Sequence, residues 1–250
     1  MLLNVENISK FYTQRNNTLF GEKVKVIDAL SFNINTQETF GLVGESGSGK
    51  STLARLICGL ELPDSGVISL NNKPVTKRLH RQGIISIVFQ DYLTSVNPTL
   101  TVGEIIAEPI KIINPSIRHQ ALRTLIFAFL DKVELPNSCY TRYIFELSGG
   151  QAQRVCLCRA LASYPKLIVL DEALSSLDIP TQVQILDLLK QLKEEFSLSY
   201  LFISHDIQTV AYFCDKVMFF LQGKKIELCE VNNLGNVTHD YSKKLIQSVI

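Results

Sequence analysis

Nine consecutive residues, Gly44-Glu45-Ser46-Gly47-Ser48-Gly49-Lys50-Ser51-Thr52, have the types and spacing to cradle a phosphate. The apolar run Phe40-Gly41-Leu42-Val43 before them reads as a strand, and Leu53-Ala54-Arg55-Leu56-Ile57 after them reads as the first turns of a helix. A strand, a glycine-rich turn and a helix with G-x-x-x-x-G-K-S across the joint form a P-loop. Glycines let several backbone N–H groups converge on one anion, and the helix N-terminus adds its partial positive charge at the same point. Lys50 supplies a full charge for β- and γ-phosphates, and the Ser51 hydroxyl is placed to ligate Mg²⁺.

Other residues could serve the same chemistry. Leu167-Ile168-Val169-Leu170-Asp171-Glu172 is an apolar strand that delivers two carboxylates at its C-terminal end, where an open α/β sheet places its ligand. Successive side chains leave in different directions, so Asp171 and Glu172 suit two roles. Taken alone, such an end is more often a solvated edge. Leu147-Ser148-Gly149-Gly150-Gln151 precedes a helical pattern and makes a second anion-binding helix N-terminus, which a simple glycine cap would also provide. Gln90 ends the apolar run Ile84–Phe89, and His205 follows the strand Tyr200–Ile203. His80, His119 and His239 have no such context and read as solvated side chains.

The elements that must position these groups alternate between strand and helix. Residues 2–8 and 24–34 keep the period of two and predict an antiparallel pair, separated by a loop marked by Asn16, Asn17 and Gly21. Val67–Leu70 and Ile84–Phe89 read as further strands, the second of the kind buried on both faces of a parallel sheet. From 91 to 145 the pattern turns helical. Thr101 and Glu104 are spaced as a capping box, and Ile117, Ala121, Leu125, Ala128 and Phe129 fit one face of a helix over 116–133. A helix over 150–163, the strand 167–170 and an amphipathic helix over 180–196 with Val183, Leu186, Leu189, Leu192 and Phe196 on one side follow. The strands 200–203 and 216–221 and a helical tail complete the chain.

Composition bounds the rest. With 250 residues, 46% of them hydrophobic, the chain can bury one large α/β core with an inserted subdomain. Lys and Arg number 25 against 24 Asp and Glu, which gives no electrostatic footprint of a nucleic-acid binder. No apolar run approaches the roughly 18 residues of a membrane span, and the first residues lack the pattern of a secretory signal, so a cytoplasmic location is expected. Six cysteines without a C-x-x-C pair read as reduced apolar residues rather than metal ligands.

The pentapeptide Leu147–Gln151, together with the P-loop, resembles the signature of ATP-binding cassette (ABC) ATPases, and the resemblance extends over essentially the whole chain. It implies an α/β fold: a P-loop NTPase ABC cassette with a parallel-sheet core, an antiparallel β-subdomain and an inserted α-helical subdomain. It also implies one ABC ATP-binding domain over 1–250, with a RecA-like core at 1–90 and 146–250 and the helical subdomain at about 91–145. ATP and Mg²⁺ are the implied cofactors. Residue by residue, Gly44 to Thr52 match the phosphate loop, Asp171 the carboxylate that holds Mg²⁺ with Ser51, and Glu172 the group that polarises the attacking water. Gln90 matches the glutamine that senses Mg²⁺ and the γ-phosphate, and His205 the histidine that contacts that phosphate. Ser148, Gly149, Gly150 and Gln151 match the signature facing a neighbour's γ-phosphate, and Asp178, in Ser175-Ser176-Leu177-Asp178, the loop that reaches across the dimer. Tyr12 matches the aromatic on which adenine stacks; Phe11 beside it is the alternative, which strand alternation would turn inward. Ala152, Ala173 and Ser176 depart from the usual pattern without removing a phosphate, magnesium or water contact.

The stretch Phe89–Pro98, continuing into Thr101–Ile106, and the tail His239-Asp240-Tyr241-Ser242-Lys243-Lys244-Leu245 look like the peptide/nickel importer subfamily. That resemblance implies a second, non-identical ABC ATPase subunit, two membrane permease subunits, an extracytoplasmic substrate-binding protein and no nucleic acid. The chain would then lie on the cytoplasmic face of the cell membrane, held through the permeases, with residues 91–106, including Tyr92, Asn97 and Pro98, as the permease contact. The short segment after Leu245 looks more like the nickel and metallophore branch than the oligopeptide branch, which is the alternative.

Overall fold

The computed structural model describes residues 1–14, 22–91 and 95–247. The loop expected at Asn16, Asn17 and Gly21, the residues Tyr92, Leu93 and Thr94 of the expected permease contact, and Ile250 lie outside the described residues. In chain order the elements are β1 (Leu3–Gln14), β2 (Glu22–Ile34), β3 (Thr39–Val43), α1 (Lys50–Ile57), β4 (Ser65–Leu70), β5 (Lys73–Pro74) and α2 (Arg78–Arg81). Next come β6 (Ile85–Val88), α3 (Val102–Ile113), α4 (His119–Lys132), α5 (Gly149–Leu161), β7 (Leu167–Asp171) and α6 (Ile179–Phe196). The chain finishes with β8 (Ser199–Ser204), α7 (Ile207–Phe213), β9 (Lys216–Leu221), β10 (Lys224–Glu230) and α8 (Asp240–Gln247). Two compact units result, Met1–Gln82 with Ser199–Ile250, and Gly83–Leu198.

The first unit holds two kinds of sheet. β1 pairs antiparallel with β2 and with β4, in registers that set Leu3 opposite both Ile34 and Leu70. β3 lies parallel between β8 and β9, and β10 returns antiparallel on β9. All five residues of β3 are buried, as are the first five of β8. Such unbroken apolar runs are what strands covered on both faces require. The alternation expected of β1 breaks at bulges between Ile8 and Lys10 and between Lys10 and Phe11. A bulge re-aims the side chains beyond it, so Phe11 is not turned inward: it and Tyr12 are both half-buried.

The second unit is built on β6 and β7, a parallel pair with Ile85 opposite Leu167. β7 is fully buried, whereas three of the four residues of β6 are half-buried, because β6 is the edge strand of its sheet. The strand also stops at Val88, two residues short of Gln90. α3 starts with the expected capping box, the Thr101 hydroxyl accepting from the Glu104 N–H and the Glu104 carboxylate accepting from the Thr101 N–H at 2.8 Å. In α4 the buried face is Leu122, Ile126, Phe129 and Leu130, while Ala121 and Ala128 of the expected stripe are exposed. Leucine and isoleucine remove far more apolar area from water than alanine, so they set the helix's rotation. The same shift occurs in α6, where Ile185 and Leu188 join Leu186, Leu189 and Leu192 inside and Val183 is exposed.

Ile126→Ala should therefore lower stability by about 2–5 kcal/mol, read as a shift of the urea midpoint, while Ala121→Ser should stay within about 0.5 kcal/mol.

Candidate functional site: the phosphate loop and the carboxylate strand

In the first unit the chain leaves β3 at Val43 and enters α1 at Lys50, so the loop between them is anchored by a buried strand and a helix start. Gly44 presses against the chain end of β9: a Cβ there would lie 2.1 Å from the Phe220 carbonyl oxygen. Gly49 caps α1 at φ 105°, in the region that favours glycine. A Cβ on Gly47 would meet nothing within 4 Å, so the loop is open on that side. The Lys50 side chain, 4% exposed, folds back and donates to the carbonyls of Gly44 at 2.8 Å and Glu45 at 2.9 Å. The Ser48 N–H donates to the Glu45 carbonyl at 3.2 Å, while the buried Ser48 hydroxyl has no hydrogen-bond partner among the described residues. An orphaned hydroxyl, a buried ammonium and a helix N-terminus open on one side together fit a phosphate.

Two flanking groups were not legible in the sequence. The Glu45 N–H donates to the hydroxyl of Tyr241, on α8, at 3.2 Å, and that hydroxyl donates to the Phe220 carbonyl at 3.4 Å. The start of α8 is held by Glu227 of β10, whose carboxylate accepts from the Thr238 N–H at 2.8 Å, the Thr238 hydroxyl at 3.1 Å and the His239 N–H at 3.3 Å. The Thr238 amide, ahead of the opposing effect of burial, holds that carboxyl well down, at about 2. Tyr12, for its part, donates to Glu61, whose other oxygen accepts from Arg55 Nε at 2.6 Å. Burial pushes the Glu61 carboxyl up, and the bonds from Tyr12 and Arg55 outweigh it and leave it lowered. The Tyr12 ring is thereby tethered at its hydroxyl, with Lys10 Nζ 5.5 Å from its centre, while Lys25 covers Phe11 at 5.4 Å. Spacings of 49 and 196 residues carry no local pattern that would announce these contacts. His205 is exposed between β8 and α7, where the Ser204 hydroxyl accepts from the Asp206 N–H at 3.0 Å and Asp206 caps α7 through the Gln208 N–H at 2.8 Å.

In the second unit, Asp171 ends β7 and is 6% exposed. Glu172 follows with φ 48°, the left-handed region that only a few per cent of non-glycine residues occupy. Its carbonyl accepts from the Ser175 N–H at 3.2 Å and from the Ser175 hydroxyl at 2.9 Å, which closes the turn that re-aims the chain. Gln90 Nε2 reaches the same Ser175 hydroxyl at 3.5 Å. The structure thus links Gln90 to the Glu172 turn through Ser175, the first residue of the loop that ends at Asp178. Ser148 caps α5 in a capping box, accepting from the Gln151 N–H at 3.3 Å while its own N–H donates to Gln151 Oε1 at 3.2 Å. A Cβ on Gly150 would lie 2.9 Å from Thr181 of α6, so the starts of α5 and α6 approach closely. Asp178 stands at the N-cap of α6, its carboxyl held below the usual range first by the Thr181 hydroxyl. Among the described residues no group of three His, Cys, Asp or Glu could hold a metal ion. The cysteines Cys58, Cys139, Cys156, Cys158 and Cys214 are buried, and burial pushes the Cys156 thiol up to about 11.

Gly44→Ala should displace the loop from Phe220 and weaken binding of a fluorescent ATP analogue at least tenfold with the far-ultraviolet dichroism retained. The ordinary value for Glu227 is 4.5, so its contribution to stability is complete above about pH 4.5 and is lost as pH falls through about 2. Carbon NMR should place its titration near 2, and Glu227→Gln should flatten this part of the acid unfolding profile.

A family model described as "ABC transporter" matches residues 27–175. The metal-staphylopine import system ATP-binding protein CntF of Staphylococcus aureus is 38% identical over 246 residues, 98% of either chain. The nickel import ATP-binding protein NikE of Shigella dysenteriae is 39% identical over all of this chain and 94% of its own. The oligopeptide transport ATP-binding protein OppF of Escherichia coli is 40% identical over 90% of this chain and 70% of its own. Among solved structures, a dimeric ATP-binding cassette in a post-hydrolysis state, bound to ADP and Pi, superposes with a TM-score of 0.82 at 27% identity, over 92% of this chain and 99% of that one. The fold is that of a P-loop ABC cassette, and by sequence and structure alike the chain belongs to the ABC transporter family.

Proposed function

We propose that this chain is the ATP-hydrolysing subunit of a multi-subunit ABC importer. The observation that carries the reading is the loop Gly44–Thr52, closed by Lys50 on its own carbonyls and open beside Gly47, at the end of a fully buried strand. Its amides and Lys50 would bind the β- and γ-phosphates, and Tyr12, fixed through its hydroxyl, would stack on adenine. Ser51, Asp171 and Gln90 would hold Mg²⁺, to which they offer the hard oxygen donors it prefers; the ion would neutralise charge on the phosphates. Glu172 would polarise the attacking water, and its left-handed backbone supports that role, since strain of this kind clusters where function over-determines geometry. Gln90 and His205 would report the γ-phosphate. Ser148, Gly149, Gly150, Gln151 and Asp178 would complete the site of a second cassette.

The helices and 3-10 turns of 102–146 are the proposed helical subdomain, about 91–145, within a RecA-like core of 1–90 and 146–250. The proposed assembly has a second, non-identical ATPase subunit, two permeases and an extracytoplasmic binding protein, and places this subunit peripherally on the cytoplasmic face of the membrane. No helix of the described residues is long and apolar enough to cross a membrane, which fits attachment through permeases. Nickel or a related transition metal, carried as a metallophore complex, is the proposed cargo, supported by the metal-staphylopine and nickel import relatives. Oligopeptides are the second reading, favoured by the oligopeptide relatives at 39–40% identity.

Glu172→Gln should keep ATP binding and lower turnover of the assembled complex at least a hundredfold, whereas Lys50→Ala should weaken binding itself. Uptake of radiolabelled nickel, cobalt or zinc under metal limitation should fall when the gene is deleted and stay low with Lys50→Ala. Normal metal uptake with lost growth on peptides would move the cargo to the peptide branch.

A further inference from the structure

We propose that Tyr241 is a positioning residue for the phosphate loop, acting from the C-terminal helix through the Glu45 peptide. This rests on the reading of the loop as the ATP site. The Tyr241 hydroxyl accepts the Glu45 N–H at 3.2 Å and donates to the Phe220 carbonyl at 3.4 Å. That carbonyl is the one against which Gly44 is pressed. On its other side the Glu45 carbonyl accepts from Lys50 Nζ at 2.9 Å and from the Ser48 N–H at 3.2 Å. Both polar groups of the Glu45 backbone are therefore committed, and the cradle for an anion falls to the amides that follow.

The reach of α8 to the loop is itself fixed. Glu227 pairs with Phe219 in the β9–β10 hairpin, one residue from Phe220, and clamps the start of α8 through Thr238 and His239. The Tyr241 N–H donates to His239 Nδ1 at 3.1 Å. One strand of the hairpin thus touches the loop directly at Gly44, and the other, through Glu227, holds the start of the helix whose tyrosine holds the next residue. Two hydrogen bonds on one partly buried hydroxyl define its position better than one would. Burial also pushes the phenol up, so it keeps the proton it donates to Phe220. A hydroxyl that orders the loop before and during the reaction stabilises the bound ground state and the transition state equally, so its loss should appear in binding and not in turnover.

The test uses the full chain, a fluorescent ATP analogue with Mg²⁺, and amide hydrogen exchange resolved at Glu45. Tyr241→Phe keeps the ring and should raise the analogue's Kd about two- to tenfold, the range one hydrogen bond carries, and speed exchange at Glu45. In the assembled transporter it should raise KM for ATP with kcat kept, a split that general loosening of the fold does not produce. Glu227→Gln, which loosens the start of α8, should shift Kd and Glu45 exchange in the same direction by less, and carries the test if Tyr241→Phe does not fold. Unchanged Kd and Glu45 exchange in the folded variant, or a fall in kcat at constant KM, overturns the positioning role. Failure of the unmodified chain to bind the analogue removes the ATP-site reading first, and this proposal with it.

Discussion

The contact between Gly44 and the Phe220 carbonyl is the constraint on which the phosphate loop depends. β3 is buried along its whole length and parallel to β9, with Val43 opposite Phe219. The chain must leave that strand with backbone against backbone, because no side chain fits at Gly44. From there the next turns are dictated by hydrogen bonds rather than by packing: the carbonyls of Gly44 and Glu45 toward Lys50, the Glu45 N–H toward Tyr241. A loop held in this way is ordered by its protein surroundings, and pre-ordering lowers what a ligand must supply on binding.

Electrostatics follow from the same geometry. Lys50 is nearly buried at the first position of α1, beside the positive end of the helix. A buried ammonium is costly unless hydrogen-bonded, and the two loop carbonyls at 2.8 and 2.9 Å offset that cost with neutral dipoles. An anion brought to the open side would meet charge, helix dipole and orphaned Ser48 hydroxyl in one place. At Asp171 and Glu172 the placement of the carboxyl groups is set by backbone conformation instead. A left-handed Glu172, held by Ser175, parts two adjacent carboxyl groups so that one ends the strand and the other begins the turn.

Residue types and short spacings by themselves determined the strand, glycine-rich loop and helix over 40–57, the two-carboxylate strand end, the helix cap at Thr101, and the antiparallel pairing of β1 with β2. Each of these is a local matter, in which hydrogen bonds or alternation act within a few residues or between neighbouring segments. Only the tertiary structure decided the rotation of α4 and α6, since which apolar residues turn inward depends on the surfaces they meet. It also decided the orientation of Phe11 and Tyr12, because the bulges just before them lie in the pairing of β1 with β2. The hydroxyls of Tyr12 and Tyr241 found Glu61 and Glu45 across 49 and 196 residues of chain. No periodicity encodes such pairs: the partners become neighbours only when the sheets bring distant strands together, and a polar group takes whatever partner burial leaves within reach.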